Sequence, residues 1–239
     1  MKPDELWSAI DTQRLRVIDL LDELTPAEWE TLSLCDGWTV RDVAAHLTLQ
    51  QLTLGSALLT GLRHPGSMNH IIQASARDRA RLPTDRLIES IHGMVGSRRH
   101  NVGVTPLETL IDIVVHGQDI AIPLGRELAV LPRAAATTAD RLWWSRSTRL
   151  GRLKSKVFSG VNLQGLRFVA TDADWSAEEG DEVRGPLLSI VLSLSGRAAG
   201  ADALSGPGAS RLGRRPSVVA DGPAARPGIE LSQATAEEA

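Results

Sequence analysis

The stretch TPLETLIDIVVHGQDIAIPLG, from Thr105 to Gly125, contains the clearest structural signal in the sequence. It opens with an N-cap threonine, a proline at the first helical position and Glu108 at the third, which together form a capping box. Apolar residues then recur at helical spacing, and Gly125 supplies a stop. The stretch therefore predicts a helix from Thr105 to Leu124.

The rest of the first 150 residues has similar helix signals. Thr25-Pro26-Ala27-Glu28 repeats the capping box and opens a short helix to about Leu32. Four longer helices are expected from Pro3 to Leu24, from Thr39 to about Leu62, from Thr84 to about Gly103 and from Pro132 to about Leu150, with a more polar one from Ser67 to Leu82. Short connections between long amphipathic helices favour an antiparallel four-helix bundle.

After Gly151 the sequence pattern changes from long helix signals to short strand and helix signals. Leu163 to Thr171 predicts a strand, and Trp175 to Arg184 predicts a second strand around a turn at Gly180-Asp181. Leu187 to Leu194 predicts an apolar helix. A piece this small cannot bury its own apolar surface, so we expect it to dock on the bundle.

These signals divide the chain into three predicted parts. A helical bundle covers residues 1–150, and a small α/β C-terminal domain covers residues 160–213. Residues 214–239 are rich in Gly, Pro, Ala, Arg and Ser, and this composition predicts a disordered tail. The predicted fold is thus mainly α, with a small α/β appendage.

Composition excludes several classes of function. The net charge of −3 and the pI near 6.1 provide no basic footprint for nucleic acid. The longest apolar-rich run, Leu187 to Leu194, is far shorter than the roughly 20 residues that span a bilayer, and the N-terminus has no apolar signal core. With a single cysteine, Cys35, no intrachain disulfide can form. We expect a cytoplasmic protein, monomeric or homodimeric, that binds neither membranes nor nucleic acid.

A polar stripe runs along the helix that starts at Thr105. Glu108, Asp112, His116 and Asp119 fall on one side of a helical wheel, and apolar residues cover the rest. Such a stripe either faces water or points into a polar cavity. In the second case Asp112 and His116, one turn apart, can bind one metal ion from the same face.

His46 is a possible third ligand. It lies in GWTVRDVAAHL, Gly37 to Leu47, beside apolar helix positions, where a histidine is commonly a packed core or boundary residue. Two histidines and one carboxylate would leave a coordination position of Zn²⁺ open, as a catalytic site requires. The spacing leaves the core and ligand interpretations of His46 both open.

Three segments, in order, resemble one known family. GWTVRDVAAHL is similar to the second-helix signature of DinB-like bundles, in particular the actinobacterial mycothiol-dependent maleylpyruvate isomerase family. DIVVHGQDIAIPLGR, from Asp112 to Arg126, resembles the later metal helix of that family. The segment from Thr171 to Arg197, TDADW followed later by VRGPLLSIVLSLSGR, resembles its small C-terminal domain.

The resemblance implies a set of metal ligands. The family's histidine on the second helix falls on His46, and its carboxylate–histidine pair falls on Asp112 and His116. The chain departs from the better-described members, which have Glu where it has Asp112. Because Asp is one methylene shorter, either the helix approaches the metal more closely or a water bridges the gap.

The resemblance also implies a chemistry. The expected activity is a metal-dependent, mycothiol-dependent isomerisation, or a thiol transfer, on a small maleylpyruvate-like electrophile. The expected cofactors are a divalent metal, with Zn²⁺ the first choice, and mycothiol as a low-molecular-weight thiol cosubstrate. The alternative is a non-catalytic metal- or ligand-binding bundle that has kept the scaffold.

Two arginines are candidates to bind a substrate carboxylate. Arg184 precedes the apolar helix of the appendage and Arg197 follows it, and a guanidinium can hold a carboxylate with two hydrogen bonds. Each could instead pair with a nearby acid such as Glu182 or Asp202. Arg197 is preferred slightly, because the helix that it ends must pack on the bundle. Cys35, in the turn before the second helix, is interpreted as a small packed residue, with a redox role as the alternative.

Overall fold

The computed structural model describes residues 1–148 and 163–212. Eight α-helices lie in the first of these segments: α1 (Pro3–Asp22), α2 (Pro26–Trp29), α3 (Val40–Leu47), α4 (Leu54–Arg63), α5 (Met68–Arg79), α6 (Thr84–His92), α7 (Pro106–Ala121) and α8 (Pro132–Ser147). The second segment contains β1 (Leu166–Ala170), β2 (Ser176–Ala177), β3 (Asp181–Gly185) and α9 (Leu187–Leu194). The prediction of a mainly α fold with a small α/β C-terminal region is confirmed.

Helix α7 runs through the centre of the bundle, in contact with α1, α3 and α8. Apolar side chains cover most of its circumference, and Leu110, Ile113 and Ile120 have no exposed surface. Ile10 of α1 and Leu47 of α3 are equally buried. Burying side chains of this size stabilises the fold by roughly 1.5–3 kcal/mol each, before the cost of ordering them.

The capping boxes mark the helix starts that they predict. Thr25, Thr39 and Thr105 each accept a backbone hydrogen bond, while the acid three residues later bonds back to the N-cap backbone. At its other end α7 passes into a short 3-10 helix, Ile122–Leu124, which stops at Gly125 with a φ of 64°. Left-handed backbone of this kind favours glycine.

The helix expected from Thr39 to about Leu62 is two helices. Helix α3 ends at Leu47, and Oγ1 of Thr48 donates a hydrogen bond to the carbonyl of Ala45 at 2.7 Å. The amide of Leu52 then donates to Oδ1 of Asn101 at 2.7 Å, so a distant side chain replaces a helical carbonyl. Thr53 caps the new helix α4. Similarly, the helix from Thr84 ends at His92, earlier than expected.

Residues 163–212, the described part of the C-terminal region, form a three-stranded sheet with one α-helix and two short 3-10 helices. The strand order is β2-β1-β3, with β1 antiparallel to β2 and parallel to β3. The single second strand that we expected is therefore two strands, which pair with opposite edges of β1. The expected apolar helix is α9, with the predicted bounds.

This region packs on the bundle through α8. Helix α9 contacts α8, and Nε1 of Trp175 donates a hydrogen bond to Oδ1 of Asp140 at 2.8 Å. The rings of Trp143 and Phe168 meet edge to face, 5.7 Å between centroids. Docking of the appendage places the residues that follow α9 beside α7.

The predicted tail, residues 214–239, lies outside the described residues, and so does the connection over residues 149–162. The division into a bundle domain and a separate C-terminal domain stays a prediction. None of the described helices is both long enough and apolar enough to cross a bilayer.

Candidate metal centre

Helices α3 and α7 bring His46, Asp112 and His116 together. One donor atom from each of the three side chains lies within 4.8 Å of the other two. The imidazole rings of His46 and His116 meet edge to face, with centroids 4.9 Å apart and planes at 77°. Trp38 packs against the other side of His46 at 5.5 Å, which limits the orientations of that ring.

Helical geometry explains why α7 provides two of these residues. Asp112 and His116 are four residues apart, so their side chains lie one above the other on one face. His46 lies in the last turn of α3, and the capping box at Thr39 fixes the residue at which this helix begins. All three side chains are half-buried.

The environment keeps His46 neutral. Burial, together with the nearby charges of His116 and Arg197, lowers the pKa of His46 to about 3. A neutral imidazole is the form that binds a metal. Burial also raises the pKa of the Asp112 carboxyl.

The donor set fits a divalent metal. Nδ1 of His46 is buried, and no hydrogen-bond partner for it is found among the described residues. Because an unpaired buried polar atom is costly, a ligand at this point would remove the penalty. Two imidazoles and one carboxylate are the ligand types of catalytic Zn²⁺ sites.

A buried carboxylate lies on the other side of His116. Oδ2 of Asp119 is 2.8 Å from Nδ1 of His116, and the Asp119 side chain has no exposed surface. Arg197, which follows α9, binds the same carboxylate with two nitrogens: Nη2 lies 2.6 Å from Oδ2 and Nε lies 3.0 Å from Oδ1. Sγ of Cys35 is 3.1 Å from Oδ2. The four side chains form one network, which we call the Asp119 network.

The Asp119 network sets the charge of its members. Burial acts to lower the pKa of His116, but hydrogen bonds to Asp119 and Cys35 outweigh it and raise this pKa to about 10. Burial acts to raise the pKa of Asp119, but the bond from His116 and the charge of Arg197 hold it well below its usual range. A metal ion at His116 must therefore compete with a proton.

Cys35, His116 and Asp119 form a second group with metal-ligand chemistry, also within 4.8 Å. Arg197 makes this group unsuitable for a cation, because its guanidinium already supplies a positive charge 2.6 Å from the carboxylate. Placing a second positive charge in this buried position would cost more free energy, in desolvation and repulsion, than coordination by the three side chains would provide. The group of His46, Asp112 and His116 is the better candidate.

The structure places the two candidate arginines differently. Arg197 is beside the metal group, and all three of its side-chain nitrogens are engaged, since Nη1 donates to the carbonyl of Ser195 at 2.9 Å. Arg184 lies on β3, is 54% exposed and donates through Nε to Glu182 at 2.8 Å. Glu108, the first member of the polar stripe, is paired with Arg141.

Sequence reasoning gave Asp119 no role at the site and interpreted Cys35 as a small packed residue. Asp119 belonged to the polar stripe, three residues after His116, but helical spacing alone does not distinguish a ligand from its supporting residue. Cys35 is distant in sequence and no motif marks it. The loop before α3 places Cys35 beside Asp119, because the backbone amide of the preceding residue, Leu34, donates a hydrogen bond to the backbone carbonyl of Asp119 at 3.2 Å.

Comparison with known proteins agrees with this fold. Residues 10–106 match the family described as the mycothiol maleylpyruvate isomerase N-terminal domain, which confirms the resemblance drawn from the sequence. No curated protein matches the chain.

Two solved structures share the architecture. A crystal structure of the mycothiol-dependent maleylpyruvate isomerase is 16% identical, with a TM-score of 0.57, and the match covers 87% of this chain and 93% of that one. A histidine-to-alanine mutant of the mycothiol-dependent maleylpyruvate isomerase is 15% identical, with a TM-score of 0.59 and the same coverage. At these identities the likeness establishes the fold.

Proposed function

We propose, from the premise that residues 10–106 form a mycothiol maleylpyruvate isomerase N-terminal domain, that the protein is a metal-dependent isomerase or thiol transferase. Its cosubstrate is mycothiol or a similar low-molecular-weight thiol, and its substrate is a small electrophile of the maleylpyruvate type. The observation that carries the proposal is the convergence of His46, Asp112 and His116.

The three converging side chains would hold a divalent metal, for which Zn²⁺ is the first choice. Such an ion favours the thiolate over the thiol and polarises a carbonyl oxygen. The residues of this chain orient and shield the site. Trp38 packs against the ring of His46 and would help to orient it.

The proposed reaction is balanced without a redox step. The thiolate adds to the activated double bond, which becomes a single bond about which the adduct can rotate, and elimination returns the thiolate and the isomerised alkene. In a transfer reaction, protonation of the adduct would end the sequence. The thiol comes from the cosubstrate, since Cys35 is held on the Asp119 side of His116, at 3.7 Å from Nδ1.

A second candidate function is a non-catalytic metal-binding bundle. The observation that favours it is the full engagement of Arg197, which leaves no guanidinium edge of that residue for a substrate carboxylate. Under this reading the protein would bind metal but turn over no electrophile.

Metal analysis followed by an activity assay tests the proposal. We expect the purified protein to bind about one equivalent of Zn²⁺ and to isomerise maleylpyruvate, or to add mycothiol to it, only when both metal and thiol are present. Metal binding without turnover across a panel of α-keto electrophiles would support the non-catalytic bundle. If the protein binds no divalent metal, the proposal is wrong.

A further inference from the structure

We infer that Asp119 is a positioning residue for His116, and that Arg197 acts on the metal site through Asp119. The inference rests on the proposed function, because it assumes a metal between His46, Asp112 and His116. It concerns residues that do not touch that metal.

The two imidazole nitrogens face different directions, so a bond at one decides what the other can do. Nδ1 of His116 is engaged with Oδ2 of Asp119 at 2.8 Å. Nε2 is therefore the nitrogen left for a metal shared with His46 and Asp112. If the ring flipped, a carbon would replace Nδ1 opposite Asp119, and the bond would be lost.

Asp119 can hold His116 only if its own carboxylate is fixed. It is fully buried, and it receives hydrogen bonds from three separate parts of the chain: His116 on α7, Cys35 in the loop before α3, and Arg197 after α9. The backbone carbonyl of Asp119 also accepts the amide of Leu34. Partners on several sides leave this carboxylate with one favourable orientation.

Arg197 makes the burial of Asp119 tolerable. A lone buried carboxylate would have to take up a proton or turn toward water, because its desolvation is expensive. The guanidinium binds both carboxylate oxygens, and its remaining nitrogen holds the carbonyl of Ser195. Every nitrogen thus supports the network, so this geometry favours a positioning role for Arg197 over direct substrate binding.

The consequence is a link between the C-terminal region and the metal site. Arg197 lies in the segment that follows α9, while His46 and His116 belong to the bundle. Loss of the guanidinium should loosen Asp119, then the ring of His116, and so weaken metal binding.

A double-mutant cycle tests this order of action. Partners that support a metal-bound histidine typically change metal affinity by about 10–100-fold when they are replaced. We expect Asp119→Asn and Arg197→Gln each to raise the Zn²⁺ dissociation constant by about that factor. In the Asp119→Asn background, Arg197→Gln should have little additional effect, because residues in one network are not additive. Zn²⁺ affinity is measured by competition with a chromophoric chelator.

A matched variant controls for unspecific effects. Arg184→Gln removes the exposed arginine of the appendage. It should keep the wild-type Zn²⁺ dissociation constant. If one single variant does not fold by circular dichroism, the double variant Asp119→Asn with Arg197→Met, which leaves no unpaired charge, replaces it and should also bind Zn²⁺ weakly.

The ring orientation of His116 provides a readout that does not depend on metal. In the metal-free wild type, nuclear Overhauser effects from its ring hydrogens should show one orientation, and in Asp119→Asn they should show two. If the wild type binds no Zn²⁺, the proposed function fails, while this measurement still decides the role of Asp119. Wild-type Zn²⁺ affinity in Asp119→Asn, or equal effects of Arg197→Gln in both backgrounds, would overturn the inference.

Discussion

Nδ1 of His116 lies 2.8 Å from Oδ2 of Asp119, a carboxylate with no exposed surface. This contact separates the two sides of the histidine ring. One side belongs to the candidate metal group with His46 and Asp112, and the other belongs to the Asp119 network. The predictions below address the metal group, the packing around α7, the cap of a surface helix and the tail.

Replacing His46 should abolish tight metal binding. In His46→Ala one of the three proposed protein ligands is lost, so we expect Zn²⁺ affinity to fall by more than the roughly 10–100-fold that a supporting residue contributes. Metal content by mass spectrometry after dialysis is the measurement. His92→Ala, at an exposed position of α6, is the control and should retain full metal content. An equal loss of metal in both variants would show that the effect is not local to the site.

Gly117, next to His116, should not tolerate a side chain. A Cβ at this position would lie 2.7 Å from Cδ2 of Leu128 and 3.2 Å from Cγ2 of Val17. We expect Gly117→Ala to lower the free energy of unfolding by up to about 2 kcal/mol, because the usual overpacking cost of about 1–3 kcal/mol is reduced by the about 0.5–1 kcal/mol that alanine contributes in a helix. Urea denaturation followed by circular dichroism measures it.

Gly61→Ala is the matched control for this packing prediction. Among the described residues, no atom beyond the chain neighbours and the backbone of its own helix lies within 4 Å of a Cβ built at Gly61, which is also inside a helix. Alanine there should stabilise the protein by about 0.5–1 kcal/mol, because glycine loses more backbone freedom in a helix. Opposite signs for the two variants are expected, and a destabilised Gly61→Ala would contradict the packing argument.

The cap of α2 should contribute a pH-dependent part of the stability. Hydrogen bonds from the backbone and side chain of Thr25, followed by the bond from Arg126, lower the pKa of Glu28 from its ordinary value of 4.5 to about 2. A carboxyl whose pKa is lower in the folded state stabilises the fold above the unfolded pKa. This contribution is lost as the pH falls from about 4.5 toward 2.

Glu28→Gln removes the titrating group and tests the cap. The wild type should melt at a higher temperature than the variant at pH 6, and the difference should shrink as the pH is lowered through this window. Melting temperatures at a series of pH values measure it. A difference that is constant from pH 6 to pH 3 would mean that the Glu28 carboxylate does not act through its charge.

Removal of residues 214–239 should leave the folded protein unchanged. The tail sequence lacks the apolar periodicity that could offset the entropy of ordering it. We expect the truncated chain to keep the melting temperature and Zn²⁺ content of the full chain. A drop of several degrees would show that the tail docks on the fold.

The sequence alone determined several helix starts and the shared face of Asp112 and His116 on α7. Capping boxes at Thr25, Thr39 and Thr105 act within a few residues, so their outcome does not depend on the rest of the chain. The same is true of Asp112 and His116, because helical periodicity places residues four apart on one face. The apolar run from Leu187 to Leu194 was also sufficient to predict where α9 begins and ends.

Helix ends and strand pairing needed information from distant residues. The break after Leu47 depends on Asn101, whose side chain accepts the amide of Leu52. The division of the second strand depends on β1, to which β2 and β3 pair at opposite edges. No local pattern encodes such partners, because they meet only when the chain has folded.

Only the tertiary structure decided how the site is completed. The sequence left both a packed core residue and a ligand open for His46, and packing of α3 against α7 brings its ring to 4.9 Å from that of His116. Arg184 and Arg197 flank one helix, and the sequence favoured Arg197 only slightly. Docking of α9 on α8 leaves Arg184 at the surface and brings Arg197 to Asp119. Cys35 reaches the same carboxylate from 84 residues away. Hydrogen bonds and charge pairs act over a few ångströms, so packing, not sequence spacing, selects which polar groups meet.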